Sequence, residues 1–369
     1  MIKVLNIISD KNIGGAGKCV LIFSEKYDKN KIDLSVAVPE GSKLKKPLSE
    51  LGVKVYEVSG IADKSFSILG VKELKKLIKK IKPDVVHTHA SMSGRIAARL
   101  AGVKRIVYTL HCVYEPSAFM KSPVGHIINK TVFTLFADRA IAVAKAAKDN
   151  LTAVGINEKK ISVVLNGIDY PPKLSEDEIN MQKKRFNIND GQKVVSIIAR
   201  LEPVKGHKCF IDAAEILKKR GTDAKFIIAG TGSYEEELKA YAASKGNCVD
   251  FVGFINDPLN LTAVTDICAN ASYGTEATSI SLLEGMSLGK PAVVSRYGGN
   301  PGVIKDGENG FLFPVCDSEA MAEKIEKLLK DDILYRKMSE KALEIFEKKF
   351  TAKKYAENIE KIYYGGKEG

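Results

Sequence analysis

Two carboxylates stand eight positions apart in the stretch Glu276-Ala277-Thr278-Ser279-Ile280-Ser281-Leu282-Leu283-Glu284. A strand-like run, Asp266 to Ser272, precedes them, and a helix ending near Gly289-Lys290-Pro291 follows. A turn of small polar residues therefore separates a strand from a helix N-terminus, where unpaired backbone N–H groups and the helix dipole favour phosphate. With one carboxylate before the turn and the other inside the helix, the pair can grip both ends of a ligand whose middle is anionic, such as ribose, diphosphate and sugar in series. Upstream, Arg200 and Lys205 share one loop after the strand Val194 to Ile198, two cations placed to hold a diphosphate.

The first half of the chain offers a different set. His111 follows the strand Arg105 to Leu110, at the end where open α/β sheets bind ligands. His87 and His89 share one face of the short strand Asp84 to His89. No further His or Cys lies nearby in sequence, so these two are expected to shape a site rather than ligate metal. After the first strand the chain reads Asn12-Ile13-Gly14-Gly15-Ala16-Gly17-Lys18-Cys19-Val20. A P-loop would need Gly at Asn12 and Ser or Thr at Cys19. A dinucleotide fingerprint anchored at Gly15 and Gly17 would need Gly or Ala at Val20. What remains is a glycine turn that lets a ligand come close to the backbone.

The elements that must position these residues alternate strand and helix twice over. Strands are expected at 1–8, 33–38, 53–58, 84–89, 105–110, 139–144 and 161–165, and again at 194–198, 226–229, 249–251, 266–272 and 292–295. One intervening helix, about Val71 to Ile81, has an apolar face of Val71, Leu74, Leu77, Ile78 and Ile81, with lysines on the rest. Pro171-Pro172 and the polar run Ser175 to Asn180 read as an interdomain linker. The fold class is α/β, with two Rossmann-like βαβ domains facing across a central cleft. Their expected bounds are 1–170 for the acceptor-binding domain, 171–190 for the linker and 191–350 for the donor domain. A final helix, 351–369, is expected to cross back to the N-terminal domain.

Composition agrees with that class and narrows the partners. The 369 residues are 45% apolar and 28% charged, enough for two packed cores. No apolar run reaches the roughly 18 residues of a membrane span, and residues 1–8 look like a buried strand rather than a signal peptide. Six cysteines without a Cys-x-x-Cys pair suggest neither zinc nor disulfides. A cytoplasmic location is expected, peripheral on the inner membrane face if the charge split is used for docking. Residues 1–190 hold 32 Lys/Arg and 19 Asp/Glu, whereas residues 191–369 hold 25 and 26. A one-sided basic field meets something anionic. Nucleic acid lacks any supporting recognition module, which leaves an anionic membrane surface as the sharper alternative to general solubility.

In order and spacing these residues resemble the retaining glycosyltransferases of the GT-B fold, glycosyltransferase family 4, nearly end to end. The resemblance rests on Gly14-Gly15, Pro83-Asp84-Val85-Val86-His87-Thr88-His89, Thr109-Leu110-His111, Asn166-Gly167-Ile168-Asp169, Arg200 with Lys205-Gly206, Gly230-Thr231-Gly232, Glu276-x7-Glu284 and Gly298-Gly299. It implies that Arg200 and Lys205 clamp the donor diphosphate, that Glu284 holds the ribose, and that Glu276 lies beside the transferred sugar as a catalytic residue. Backbone N–H groups of Ser279, Ile280 and Ser281 would cap the phosphates, and the base would dock near Gly232 and Phe254. His111 would face the sugar as a second catalytic residue, and Gly14 and Gly15 would allow donor and acceptor to approach closely. No cofactor or metal is implied, since cations and a helix end neutralise the leaving group. The implied partners are a nucleotide sugar, UDP-linked or less favourably GDP-linked, and a glycan or glycolipid acceptor.

The chain departs from the family pattern at Ala144, where Ser is frequent, at Gly285, where Ala is common, and at Ala277-Thr278 in place of Gly-Phe. Three rivals stand beside this assignment: another GT-B enzyme such as a soluble-sugar synthase or UDP-sugar epimerase, a nucleotide-dependent oxidoreductase, and a non-catalytic nucleotide-sugar-binding partner.

Overall fold

The computed structural model describes residues 1–365. It divides into two compact units, Met1–Gly167 joined by the segment from Ala352 onward, and Ile168–Thr351. The first unit is built on a wholly parallel sheet of seven strands: β1 (Ile2–Ile8), β2 (Ile32–Pro39), β3 (Lys54–Val58), β4 (Val85–His89), β5 (Arg105–Leu110), β6 (Arg139–Ala142) and β7 (Ile161–Val163), in the order β3-β2-β1-β4-β5-β6-β7. The second carries six parallel strands: β8 (Lys193–Ile198), β9 (Ala224–Ala229), β10 (Asp250–Phe251), β11 (Ile267–Asn270), β12 (Ala292–Ser295) and β13 (Gly310–Phe313), ordered β10-β9-β8-β11-β12-β13. Parallel strands are covered on both faces by their crossover helices, which is why these segments read as apolar runs rather than alternating ones. Every residue of β4, β11, β12 and β13 is buried.

In both sheets the strand order reverses beside the first strand, between β1 and β4 and between β8 and β11. Crossovers leave in opposite directions from such a switch point, and the opening at the strands' C-terminal ends is where doubly wound folds bind ligands. The loops singled out in the sequence follow β1, β4 and β5 in one unit and β8, β9 and β11 in the other.

The helix Ala352–Tyr364 belongs to the first unit. Tyr355, Ala356, Ile359, Ile362 and Tyr363 form a helical stripe buried in one core with Val4, Val20 and Phe23. The second unit is closed where it begins and ends, since the Ile168 N–H donates to the Phe350 carbonyl at 2.9 Å. The segment expected as a linker is different in kind. Glu176–Arg185 is a helix opened by a complete capping box, with Ser175 Oγ accepting from the Glu178 N–H and Glu178 from the Ser175 N–H. Phe186 and Ile188 beyond it are buried with Val194, Ile227 and Leu261, so the segment is part of the second unit's core. The last amphipathic stretch of that unit is two helices, Ser318–Lys330 and Asp332–Lys349, broken at Asp331, whose carboxylate caps the second by accepting from the Leu334 N–H at 2.9 Å. Among the described residues no helix is long and apolar enough to cross a membrane.

Candidate active site

In the second unit the site is organised around one carboxylate. Glu276 is only 8% exposed, and its Oε2 accepts from Lys205 Nζ at 2.9 Å, Ser272 Oγ at 3.0 Å and Asn270 Nδ2 at 3.3 Å. A buried carboxylate is tolerated only when paired and hydrogen-bonded in this way. The partners are fixed in turn. Asn270 ends β11, and its Oδ1 accepts from the Ser272 N–H at 3.0 Å and from Asn300 Nδ2 at 3.3 Å. Asn300 Nδ2 also reaches the Ser295 carbonyl at 3.1 Å, and Ser295 Oγ donates to the Ser272 carbonyl at 2.5 Å. Asn270, Ser272, Ser295 and Asn300 are all buried, and this polar tie between the ends of β11 and β12 was not seen in the sequence. A polar residue closing an otherwise apolar strand was the available signal.

Lys205 is delivered by a single 3-10 turn, Pro203–Lys205, ended by Gly206 at φ 71°. A Cβ on Gly206 would stand 2.0 Å from the Ala271 carbonyl, so the close packing of the β8 and β11 loops needs glycine there. One Lys205 proton is committed to Glu276, leaving two for a ligand. Arg200 is placed differently. Its side chain is 73% exposed and pairs with Glu202 at 2.7 Å, a surface contact that costs little to exchange for an anion.

The helix Ile280–Ser287 starts at Ser279 without a side-chain cap, because Ser279 Oγ and Ser281 Oγ bond to each other at 3.0 Å. Its first N–H groups therefore remain for an anion. Glu284, one turn in, is half-buried. Gly285 is explained by its neighbour: an alanine Cβ there would fall 2.4 Å from Cys268 Sγ, so the departure from the family pattern is a packing exchange beneath the helix. Burial raises the Cys268 thiol to about 12, which keeps it inert. On the neighbouring loops, Gly230 N–H donates to the Gly253 carbonyl at 2.8 Å and Leu201 N–H to the Thr231 carbonyl at 3.0 Å. Cβ atoms at Gly230 and Gly232 would overlap the carbonyls of Ala199 and Leu201, at 1.9 and 2.2 Å. Phe254 beside them is 69% exposed, an aromatic face left open next to a glycine loop.

The first unit gathers three histidines. His87 and His89 on β4 and His111 beyond β5 lie ring against ring, with centroids 4.3 Å apart for the first pair and 5.1 Å for the second. His87 is held by Tyr363 and Thr109, each at 2.7 Å, and His89 Nδ1 is 2.8 Å from His111 Nε2. Burial lowers all three, His87 to about 3 and His111 to about 4. In the second unit His207, also buried, falls to about 4 through burial and the nearby Lys205 charge. Each stays neutral in the native state while the unfolded chain takes up a proton below about pH 6.5. Stability is thus full above that pH and is lost as pH falls toward 4, by about 1.4 kcal/mol per unit for each such histidine. Urea midpoints at pH 6.5, 5.5 and 4.5 are expected to fall steadily; a flat series would contradict the burial of these rings.

Gly14 and Gly15 open the helix Gly15–Lys26 after β1, with Gly14 as its N-cap. A Cβ at Gly15 would meet nothing within 4 Å, so the fold itself does not require glycine there. Ala144 is the N-cap of the helix Lys145–Ala153 and supplies no cap bond, so the hydroxyl frequent at this position in the family would cap that helix. Apart from Glu284, one turn inside its helix, every site residue expected from the sequence thus lies on a strand-end loop or helix start of its own unit, and Lys205 and Glu276 are brought into direct contact.

Known proteins match this arrangement along the chain. The family model for group 1 glycosyl transferases matches residues 178–345, and that for glycosyltransferase family 4 matches residues 13–170. The UDP-Gal:alpha-D-GlcNAc-diphosphoundecaprenol alpha-1,3-galactosyltransferase of Escherichia coli is 29% identical over 71% of this chain and 70% of its own. The N,N'-diacetylbacillosaminyl-diphospho-undecaprenol alpha-1,3-N-acetylgalactosaminyltransferase of Campylobacter jejuni is 28% identical over 89% of each. Anabaena HepE, solved in complex with UDP, superposes with a TM-score of 0.83 at 23% identity, covering 99% of this chain and 100% of that one. Two parallel Rossmann-like units, the order of their strand-end motifs and these matches together place the chain in glycosyltransferase family 4, among the group 1 glycosyl transferases of GT-B fold, as a hexosyltransferase.

Proposed function

We propose that the protein transfers a hexosyl group from a UDP-sugar, with retention at the anomeric carbon, to a hydroxyl of a lipid-linked glycan in surface polysaccharide assembly. The observation that carries this reading is the buried Glu276, held by Lys205, Ser272 and Asn270 beside an uncapped helix start. Arg200, Lys205 and the N–H groups of Ser279 to Ser281 receive the diphosphate, and Glu284 takes the ribose hydroxyls. The base rests near Gly232 and Phe254. Charge developing on the leaving phosphate is met by fixed cations and a helix end, with no metal ion called upon. Glu276 orients the sugar, His111 serves as a second catalytic residue, and a phosphate oxygen takes the acceptor proton on the same face. The choice of UDP over GDP, and of a lipid-diphosphate acceptor, is supported by the names of the Escherichia coli and Campylobacter jejuni relatives and by the UDP complex of HepE.

Donor hydrolysis without acceptor, measured with UDP-glucose, UDP-galactose, UDP-N-acetylglucosamine, UDP-N-acetylgalactosamine and GDP-mannose, tests the reading. Release of UDP from at least one, undiminished by EDTA, is expected. No release from any of them overturns it.

An anionic membrane surface is the proposed docking partner of the first unit. Residues 1–167 and 352–369 hold 32 Lys/Arg against 17 Asp/Glu. On the helices Ala118–Lys121 and Pro123–Phe136 the apolar side chains of Phe119, Val124, Ile127, Ile128 and Leu135 are exposed. In flotation with phosphatidylglycerol vesicles the protein is expected to rise with the lipid, and less so for Ile127→Ser/Ile128→Ser. Equal flotation of both forms would refute that surface.

A further inference from the structure

We propose that His89 is a positioning residue that fixes His111 with its proton on Nδ1, so that His111 meets the ligand as a hydrogen-bond donor and not as a base. The proposal rests on the reading of His111 as a catalytic residue given under the proposed function.

Two neutral imidazoles 2.8 Å apart, His89 Nδ1 against His111 Nε2, share one proton between those nitrogens. If the proton is on His111, His89 must carry its own on Nε2. That atom is buried, with no hydrogen-bond partner. A buried N–H without an acceptor costs about 1–3 kcal/mol and is the rarer kind of orphan. If the proton is on His89 Nδ1, only a bare ring nitrogen is left unpaired, and His111 accepts at Nε2. His111 then has Nδ1–H as its free edge.

The surroundings hold His89 to this arrangement. Tyr363 OH donates to Asn6 Oδ1 at 3.2 Å and is therefore free to accept from His87 Nδ1–H at 2.7 Å. His87 Nε2 then accepts from Thr109 Oγ at 2.7 Å, which fixes the His87 ring. His89 lies between that ring and His111, tilted 37° to one and 26° to the other, and is 2% exposed. Burial keeps all three rings neutral at physiological pH. A donor at His111 suits a hydroxyl or ring oxygen of the sugar and leaves acceptor deprotonation to another group.

Long-range 1H–15N spectra of protein labelled at its five histidines read the tautomer directly, with assignment by single replacements. The wild type is expected to show His111 protonated on Nδ1. In His89→Asn an amide N–H stands where Nδ1–H stood, so the tautomer is kept and kcat falls only about threefold. In His89→Asp a carboxylate accepts instead, the proton moves to His111 Nε2, and kcat falls about a hundredfold while KM for the donor is little changed. A wild-type His111 protonated on Nε2 overturns the proposal even if the Asp variant fails to fold. The same tautomer and the same kcat in both variants overturn it as well. Because the spectra need no turnover, absence of transferase activity is told apart from a wrong tautomer.

Discussion

Lys205→Ala is expected to lower kcat/KM for transfer by about a thousandfold and to destabilise the fold by about 3 kcal/mol. The first effect follows from removing the ammonium that, in the proposed function, meets the leaving diphosphate. The second follows from what is left behind, since Glu276 keeps only Ser272 Oγ and Asn270 Nδ2 as partners. The side chains of the pair are 13% and 10% exposed, so water cannot replace the missing charge cheaply. Lys205→Met/Glu276→Gln removes both charges at nearly constant shape, and buried pairs replaced in this way are close to neutral in stability. The double variant should therefore recover the urea midpoint of the wild type while remaining inactive. Recovery of neither, or full activity of Lys205→Ala, would show that the pair is not the electrostatic centre of the site.

How much of this was written locally varies from element to element. The strands were legible because β1, β8 and β11 are largely buried and so are mostly apolar, whereas β4 buries two histidines and a threonine as well. The segment from Ser175 reads as a linker because its composition is polar, although Ser175 and Glu178 have the spacing of a capping box. The positions of Arg200, Lys205, Glu276 and His111 beyond strand ends could be read from the sequence. Their partners could not. Lys205 and Glu276 are 71 residues apart and meet only because β8 and β11 are neighbours. Asn270 and Asn300 join only once β11 and β12 are paired. His89 reaches His111 because β4 and β5 run in register, with His89 opposite Thr109. The pairing of Gly285 with Cys268 is of the same kind, a local oddity with a distant cause. What the chain conceals is therefore long-range register, and it is in that register that the site is held.

Two glycines, one in each unit, make opposite demands, and alanine at each should separate fold from ligand. Gly298 has φ 55°, and a Cβ there would lie 2.0 Å from the Glu276 carbonyl oxygen, the same oxygen that accepts from the Gly299 N–H at 3.1 Å. Neither a left-handed alanine nor that overlap is tolerated, so the Glu276 backbone must move and carry its carboxylate away from Lys205. Gly298→Ala is expected to cost about 2 kcal/mol and to lower kcat/KM about a hundredfold, the usual consequence of misplacing a site group by about 1 Å. Gly15 has no such neighbour and opens a helix, where alanine is favoured over glycine by about 0.5–1 kcal/mol. Gly15→Ala should fold at least as stably as the wild type and, if this turn is the ligand-approach turn that the family resemblance implies, still transfer about tenfold more slowly. Urea unfolding and UDP release measured on both variants decide the matter. Full activity of Gly15→Ala would remove that turn from the site, and full activity of Gly298→Ala would mean that the position of Glu276 does not govern transfer.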